Sequence, residues 1–121
     1  MNNNKLIKTA TFNTQLNKII GTNFNSFAIY RSNGLYTHLQ KRKHYTACTY
    51  IDFLSDIIHN PDFIGYYNNN IELVKCYKDN IFICIKLDSK NKHYYIATMF
   101  DIKRSKIDSY LKSGRLKKVN L

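Results

Sequence analysis

The sequence predicts an α+β domain, with helices in its first half, an antiparallel sheet in its middle and one late helix before a last strand. Three observations predict it. Apolar residues recur at helical spacing over 49–59, with Ile51, Leu54, Ile57 and Ile58 on one stripe, until Asn60-Pro61 stops the pattern. Two β-rich runs, 71–78 and 81–87, flank Asp79-Asn80, a pair suited to a two-residue hairpin turn. A helical pattern over 103–112 turns Ile107, Tyr110 and Leu111 inward and meets Gly114, which suits a helix C-cap.

The other elements follow in order. Residues 1–8 read as a polar start. Residues 11–20 read as a short helix carrying Phe12, Leu16, Ile19 and Ile20, ended by Gly21. A short extended piece is expected over 27–30. Ser32-Asn33-Gly34 signals a turn and a helix start, and 35–43 reads as helix. Residues 89–92 form a polar loop, 93–100 the next strand and 116–119 the last one. The whole chain, 1–121, reads as a single domain in which 1–26 is a helical N-terminal extension. A hydrophobic content of 44% excludes a disordered chain. No apolar run is long enough for a membrane span or, over Met1 to Ala10, for a signal peptide. Cys48, Cys76 and Cys84 match no zinc-ligand spacing and read as small buried hydrophobes, which points to a reducing, cytoplasmic setting.

The hairpin turn implies a register. A two-residue turn sets Leu73 opposite Lys86, Lys75 opposite Cys84 and Tyr77 opposite Phe82. A five-residue loop at 88–92 then sets Lys86 opposite Tyr94 and Phe82 opposite Thr98. One face carries Val74, Cys76, Ile81, Ile83, Ile85, Leu87, Ala97 and Met99 and is expected to be the core. The other carries Lys75, Tyr77, Lys86, Tyr94 and Thr98, and reads either as a site or as a solvated face.

The formal net charge is +11 and it is unevenly spread. Residues 1–51 carry +7 with no acid at all, 52–102 carry −2, and 103–121 carry +6. Two basic arms bracketing a near-neutral middle point to a polyanionic partner. The densest segment is His38-Leu39-Gln40-Lys41-Arg42-Lys43-His44. Imidazole titrates near neutrality, and metal-free RNA cleavage needs a base for the 2′-hydroxyl, a cation for the phosphorane and an acid for the leaving oxygen. By composition alone such a cluster fits phosphate contacts as well as catalysis. No acid lies near it in sequence, which argues against a metal site there. His59 and His93 read as structural or solvated. Glu72, the single glutamate, reads either as a general base or as a group that orients a cation. Arg115, just past Gly114, has the planar fork to hold a phosphate, and Lys106, Lys117 and Lys118 lie around it in sequence. Tyr36, Tyr45, Tyr77, Tyr94 and Tyr95 interleave with basic positions as candidates for stacking on unpaired bases.

Several short stretches recur together in one order. They are Gly34-Leu35 with His38-Leu39, Lys41-Arg42 and His44, then Ile57-Ile58-His59-Asn60-Pro61-Asp62-Phe63-Ile64-Gly65, Ile71-Glu72-Leu73-Val74-Lys75 and Ile85-Lys86-Leu87-Asp88. Ile96-Ala97-Thr98-Met99-Phe100, Ser105-Lys106 and Ser113-Gly114-Arg115-Leu116-Lys117-Lys118 complete the set. On these stretches, from about Tyr30 to Val119, the chain resembles a phage-associated branch of the barnase–EndoU–colicin–RelE-like (BECR) ribonuclease superfamily. Two departures are Arg104, where an acid is expected before Ser105-Lys106, and a short aromatic link between Phe63 and Ile71.

The resemblance implies N-terminal helices on a four-stranded antiparallel sheet and one helix before the last strand. It also implies a toxin-like endoribonuclease that needs no metal or other cofactor and cleaves by 2′-OH attack, leaving a 2′,3′-cyclic phosphate. Carried over by position, the catalytic candidates are His38, His44, Lys86, Thr98 and Arg115. The phosphate-binding candidates are Lys41, Arg42 and Lys106 by resemblance, with Lys75, Lys117 and Lys118 added from the polar sheet face and the basic C-terminal arm. RNA, tRNA included, is the expected substrate, an acidic immunity or antitoxin protein the expected partner, and a monomer the expected state. Two other functions fit the same charge: a non-catalytic RNA-binding module, and a phage or mobile-element inhibitor that masks a host protein or ribonucleoprotein.

Overall fold

The computed structural model describes residues 5–90 and 93–121. Two sequence expectations, the polar start and the loop after residue 88, lie partly outside them. Strand β1 (Leu6–Thr11) opens the chain, followed by a 3-10 turn at Thr14–Leu16 and helix α1 (Asn17–Ile20). Strand β2 (Ala28–Ser32) leads to helices α2 (Leu35–Lys41), α3 (Tyr45–Cys48) and α4 (Leu54–His59). Strands β3 (Phe63–Tyr67), β4 (Asn70–Cys76), β5 (Asn80–Asp88) and β6 (His93–Asp101) form a meander. Helix α5 (Arg104–Ser113) and strand β7 (Lys117–Lys118) finish the fold.

The α+β class holds, but the sheet has seven strands instead of four, in the order β1-β2-β6-β5-β4-β3-β7. All pairings are antiparallel except β2 with β6. Strand β1 lies in the N-terminal extension expected to be helical, mostly ahead of the helix expected over 11–20, of which only Asn17–Ile20 is α-helical. Residues Leu6 to Lys8 of β1 are exposed, so the strand lacks the alternation that marks a half-buried one. Strand β3 is the short aromatic link: Tyr67 pairs with Asn70 across a two-residue turn, so the link is a hairpin. The expected helix over 49–59 is broken by a 3-10 turn at Ile51–Phe53. There Tyr50 is drawn into the core, and its hydroxyl donates to Asp79 Oδ2 at 3.0 Å. Gly21 and Gly114 end their helices in the left-handed conformation, φ +69° and +84°.

The register of β4 on β5 differs from the expected one. Cys76 pairs with Asn80, so Tyr77-Lys78-Asp79 form a three-residue loop, and Glu72 faces Cys84, Val74 faces Phe82 and Lys75 faces Ile81. The slip is three residues, an odd number, so every β4 side chain changes face. Leu73, not Val74, joins Ile83 and Met99 in the main core under α2 and α4. Val74 and Phe82 join Phe63, Ile107 and Leu116 in a second core under α5. Lys75 therefore does not share a face with Lys86 and Thr98, and its ammonium lies 3.7 Å from Asp62. Between β5 and β6 an extra residue, Ala97, separates the pairs Cys84–Thr98 and Ile85–Ile96.

Candidate active site

The face of the sheet toward α5 reads as three cross-strand rows. The first, Phe63–Val74–Phe82–Phe100, is apolar, and α5 packs against it through Ile107. The second is Gly65–Glu72–Cys84–Thr98. Beyond it lie Tyr67 and Lys86, with Lys86 paired to Tyr95 and Tyr95 to Tyr30 of β2. These two rows form a polar floor that ends in the exposed Lys86 and Tyr67.

Arg115 closes one side of the floor. It follows the Gly114 cap, and its backbone crosses directly over Gly65. A Cβ built on Gly65 would stand 2.0 Å from the Arg115 carbonyl oxygen, so only glycine lets the C-terminal segment lie there. The Arg115 side chain turns back to Glu72: Nε donates to Oε1 at 2.8 Å and Nη2 to Oε2 at 2.7 Å. Glu72 is 3% exposed, the one buried charged side chain among the described residues. The guanidinium is sandwiched between the rings of Tyr67 and Tyr110, 4.0 and 4.2 Å from their centroids. Hydrogen bonding to Glu72 raises the Arg115 pKa above its ordinary value, outweighing the effect of burial. Arg115 is thus a fixed cation. Its side-on edge is occupied by Glu72, and its end-on edge is the one left to receive an oxyanion.

The histidines lie along the other side. Strand β6 pairs with β2 only at Tyr94 and Tyr95, so its edge from Ile96 onward is lined instead by α2 and α3. His38, exposed on α2, shares a depression of about 290 Å³ with Tyr95, Ile96 and Ala97. His44, just before α3, has its ring 5.9 Å from that of Phe100. Thr98 lies between these two contacts along the strand. A left-handed Lys43, φ +60°, makes the bend that brings His44 back to the sheet. Cys84, in the floor, is not a nucleophile here. Burial, reinforced by the Glu72 charge, pushes its thiol pKa upward and keeps it protonated.

The structure thus brings Lys86, Thr98 and Arg115 to one face, with His38 and His44 at its edge. Lys106 stands over Tyr110, 5.3 Å from the ring centroid, beside Arg115. Lys41 and Arg42 are exposed at the end of α2, and Lys117 and Lys118 on the outermost strand next to β3. Lys75 is on the opposite face. Glu72, two residues before Val74 and so on the expected core face by strand parity, is on the Thr98 face and orients a cation. Of the tyrosines, Tyr95 reaches the floor, whereas Tyr94 stacks on Phe27 at 3.7 Å and Tyr77 donates to Asp56. Sequence reasoning missed Tyr67, Tyr110 and Gly65. Only the return of Arg115 over β3 gives them a role, and nothing local in the chain encodes that contact.

A family model, PBECR3, described as phage-Barnase-EndoU-ColicinE5/D-RelE like nuclease3, matches residues 7–109. The chain belongs to this nuclease family. The match begins inside β1, at residue 7. It ends within α5, before Arg115. No curated protein and no solved structure gives a significant match. No described helix of this nuclease-family chain is long and apolar enough to cross a membrane.

Proposed function

We propose that this member of the nuclease family is a metal-independent endoribonuclease of the toxin type. One observation carries the reading. Thr98 and the Arg115–Glu72 pair lie on one face of the sheet, with His38 beside Ile96 and Ala97 and His44 beside Phe100 along the β6 edge on either side of Thr98.

The chemistry uses these groups as follows. One imidazole takes the proton of the ribose 2′-hydroxyl as that oxygen attacks phosphorus. The bond to the 5′-oxygen breaks, the second imidazole returns a proton to the leaving oxygen, and a 2′,3′-cyclic phosphate remains. The end-on edge of Arg115 and the Lys86 ammonium stabilise the phosphorane oxygens. Glu72 holds the guanidinium in place, so little reorganisation is needed when charge develops. The Thr98 hydroxyl donates to a non-bridging oxygen. Lys41, Arg42, Lys106, Lys117 and Lys118 hold flanking phosphates. An acidic immunity or antitoxin protein complements the same positive face.

The test is incubation of the full chain with tRNA, rRNA and mRNA in excess chelator, with end-mapping of the products. Cleavage leaving cyclic phosphate ends, lost in a His38→Ala/His44→Ala double variant, is expected. Salt-sensitive RNA binding without scission overturns the catalytic reading and leaves an RNA-binding module. Undiminished cleavage by the double variant overturns the assignment of the histidines.

A further inference from the structure

A second concavity lies away from Thr98 and Arg115. It is an open cleft of about 680 Å³ at the far end of β4 and β5, on the opposite side of the sheet. That volume falls within the range of small-ligand sites. Its walls are aromatic: Phe24 packs edge-on against Tyr66 and Tyr94, with centroids 5.6 and 5.9 Å away. Its rim is the hairpin tip, with Asn68 and Asn69, and Lys86 lines it as well. Among the described residues, no acid lines it.

The second rim residue, Asn69, stands where glycine is the commoner choice. Tyr67 pairs with Asn70, so Asn68-Asn69 is a two-residue hairpin turn, and φ is +50° and +63° at the two positions. Positive φ at both marks a type I′ turn, whose second position is best filled by glycine. Asparagine tolerates this conformation less well than glycine does. Glycine at position 69 would serve the turn better, but it would remove the Asn69 side chain from the residues that line the cleft.

We infer that this cleft is a base-binding subsite, which takes an unpaired nucleobase of an RNA strand between aromatic side chains and reads its hydrogen-bonding edge with Asn68 and Asn69. The inference rests on the nuclease reading for its substrate. Lys86 connects the two sites, because it stands in the polar floor beside Thr98's row and also lines the cleft. A strand whose scissile phosphate lies at Thr98 can pass Lys86 and place a neighbouring base in the cleft. Stacking provides affinity for any base, and a carboxamide, with a donor and an acceptor side by side, selects among them. The site is therefore one of sequence preference, separate from the reacting atoms.

The experiment measures binding of homopolymeric 2′-O-methyl oligonucleotides of A, C and U, which lack the attacking hydroxyl. Wild-type protein is expected to prefer one base. Asn68→Gly/Asn69→Gly is expected to abolish that preference, weakening the preferred oligomer by about tenfold while the melting temperature is kept or raised. Tyr66→Ala, at an exposed wall position, is expected to weaken all three oligomers. Equal preference in wild type and double glycine variant, or unchanged affinity in Tyr66→Ala, overturns the inference. RNA cleavage by the wild type is measured in parallel. Cleavage with no effect of these variants removes the subsite and keeps the nuclease, and base-selective binding without cleavage does the reverse.

Discussion

Arg115 and Glu72, 43 residues apart in the chain, form a two-pronged ion pair at 2.8 and 2.7 Å across the floor of the proposed site. The carboxylate is almost fully buried, whereas the guanidinium side chain keeps 24% of its surface. The two partners are therefore not equivalent. Arg115→Ala strands a buried charge and is expected to destabilise the fold by about 2–4 kcal/mol, somewhat below the usual loss for a fully buried pair. Glu72→Ala leaves an arginine that water can reach, so its stability cost is smaller. Urea unfolding of both variants checks the order. Arg115→Lys should recover part of the stability but not the cleavage rate, since an ammonium can neither pair side-on nor stack between Tyr67 and Tyr110.

Gly65→Ala tests whether the position of Arg115 matters as much as its charge. The added methyl meets a backbone oxygen, which cannot rotate away. The C-terminal segment must lift from β3, at a cost of about 1–3 kcal/mol. RNA cleavage is expected to fall by more than the stability loss explains, measured at a temperature where the variant is fully folded.

Thr98→Val keeps the side-chain volume and removes the hydroxyl. One lost hydrogen bond to a charged oxygen corresponds to about 10–100-fold in kcat/KM. Each single histidine variant, His38→Ala or His44→Ala, is expected to lose about 10²–10⁴-fold in kcat. Circular dichroism melts should stay close to wild type for His38→Ala, because that side chain is exposed.

Lys75 and Lys86 separate the observed register from the expected one. Lys86→Ala should weaken RNA binding and reduce the slope of log affinity against log salt by about one. Lys75→Ala should leave both unchanged, because that lysine faces Asp62 on the other side of the sheet. Salt titrations of fluorescence anisotropy with the two variants decide the point.

Asp56 and Tyr77 give the fold a dependence on pH at both extremes. A hydrogen bond from Tyr77, then one from Asn60, holds the Asp56 carboxyl below its usual 3.8. Its contribution is complete above that value and is lost as pH falls through the lowered one. Burial, and then the bond to Asp56, push the Tyr77 phenol above its usual 10.0. That contribution is complete below 10.0 and is lost as pH rises through the raised value. Tyr77→Phe should flatten both arms in urea midpoints taken across the pH range.

Much of the fold was legible where the signal is local. Apolar spacing marked α5 and the end of α4, the β-rich runs marked β4 to β6, and two glycines marked helix ends. The strands that escaped, β1 and β3, lack a local signal: one is largely exposed, and the other is five residues carrying a glycine after Pro61. Within the site, the sequence pointed to His38, His44, Lys86, Thr98 and Arg115 as residue types and by resemblance. It could not supply Tyr67, Tyr110 or the role of Glu72, since these depend on a contact across 43 residues.

What the sequence by itself determined is the chemistry on offer: two basic arms, a His-rich segment between helices, and the apolar stripes that make an α+β fold. What the tertiary structure decided is which of those groups meet. In a strand, neighbouring side chains point to opposite faces, so a loop of three residues at Tyr77-Lys78-Asp79 in place of a turn of two moves Lys75 off the site and Glu72 onto it. The bulge at Ala97 and the pairing of β3 with β7 then fix Thr98 and Arg115 on that face. Loop length and strand pairing are settled by the packing of the whole sheet, which no short stretch of the chain contains.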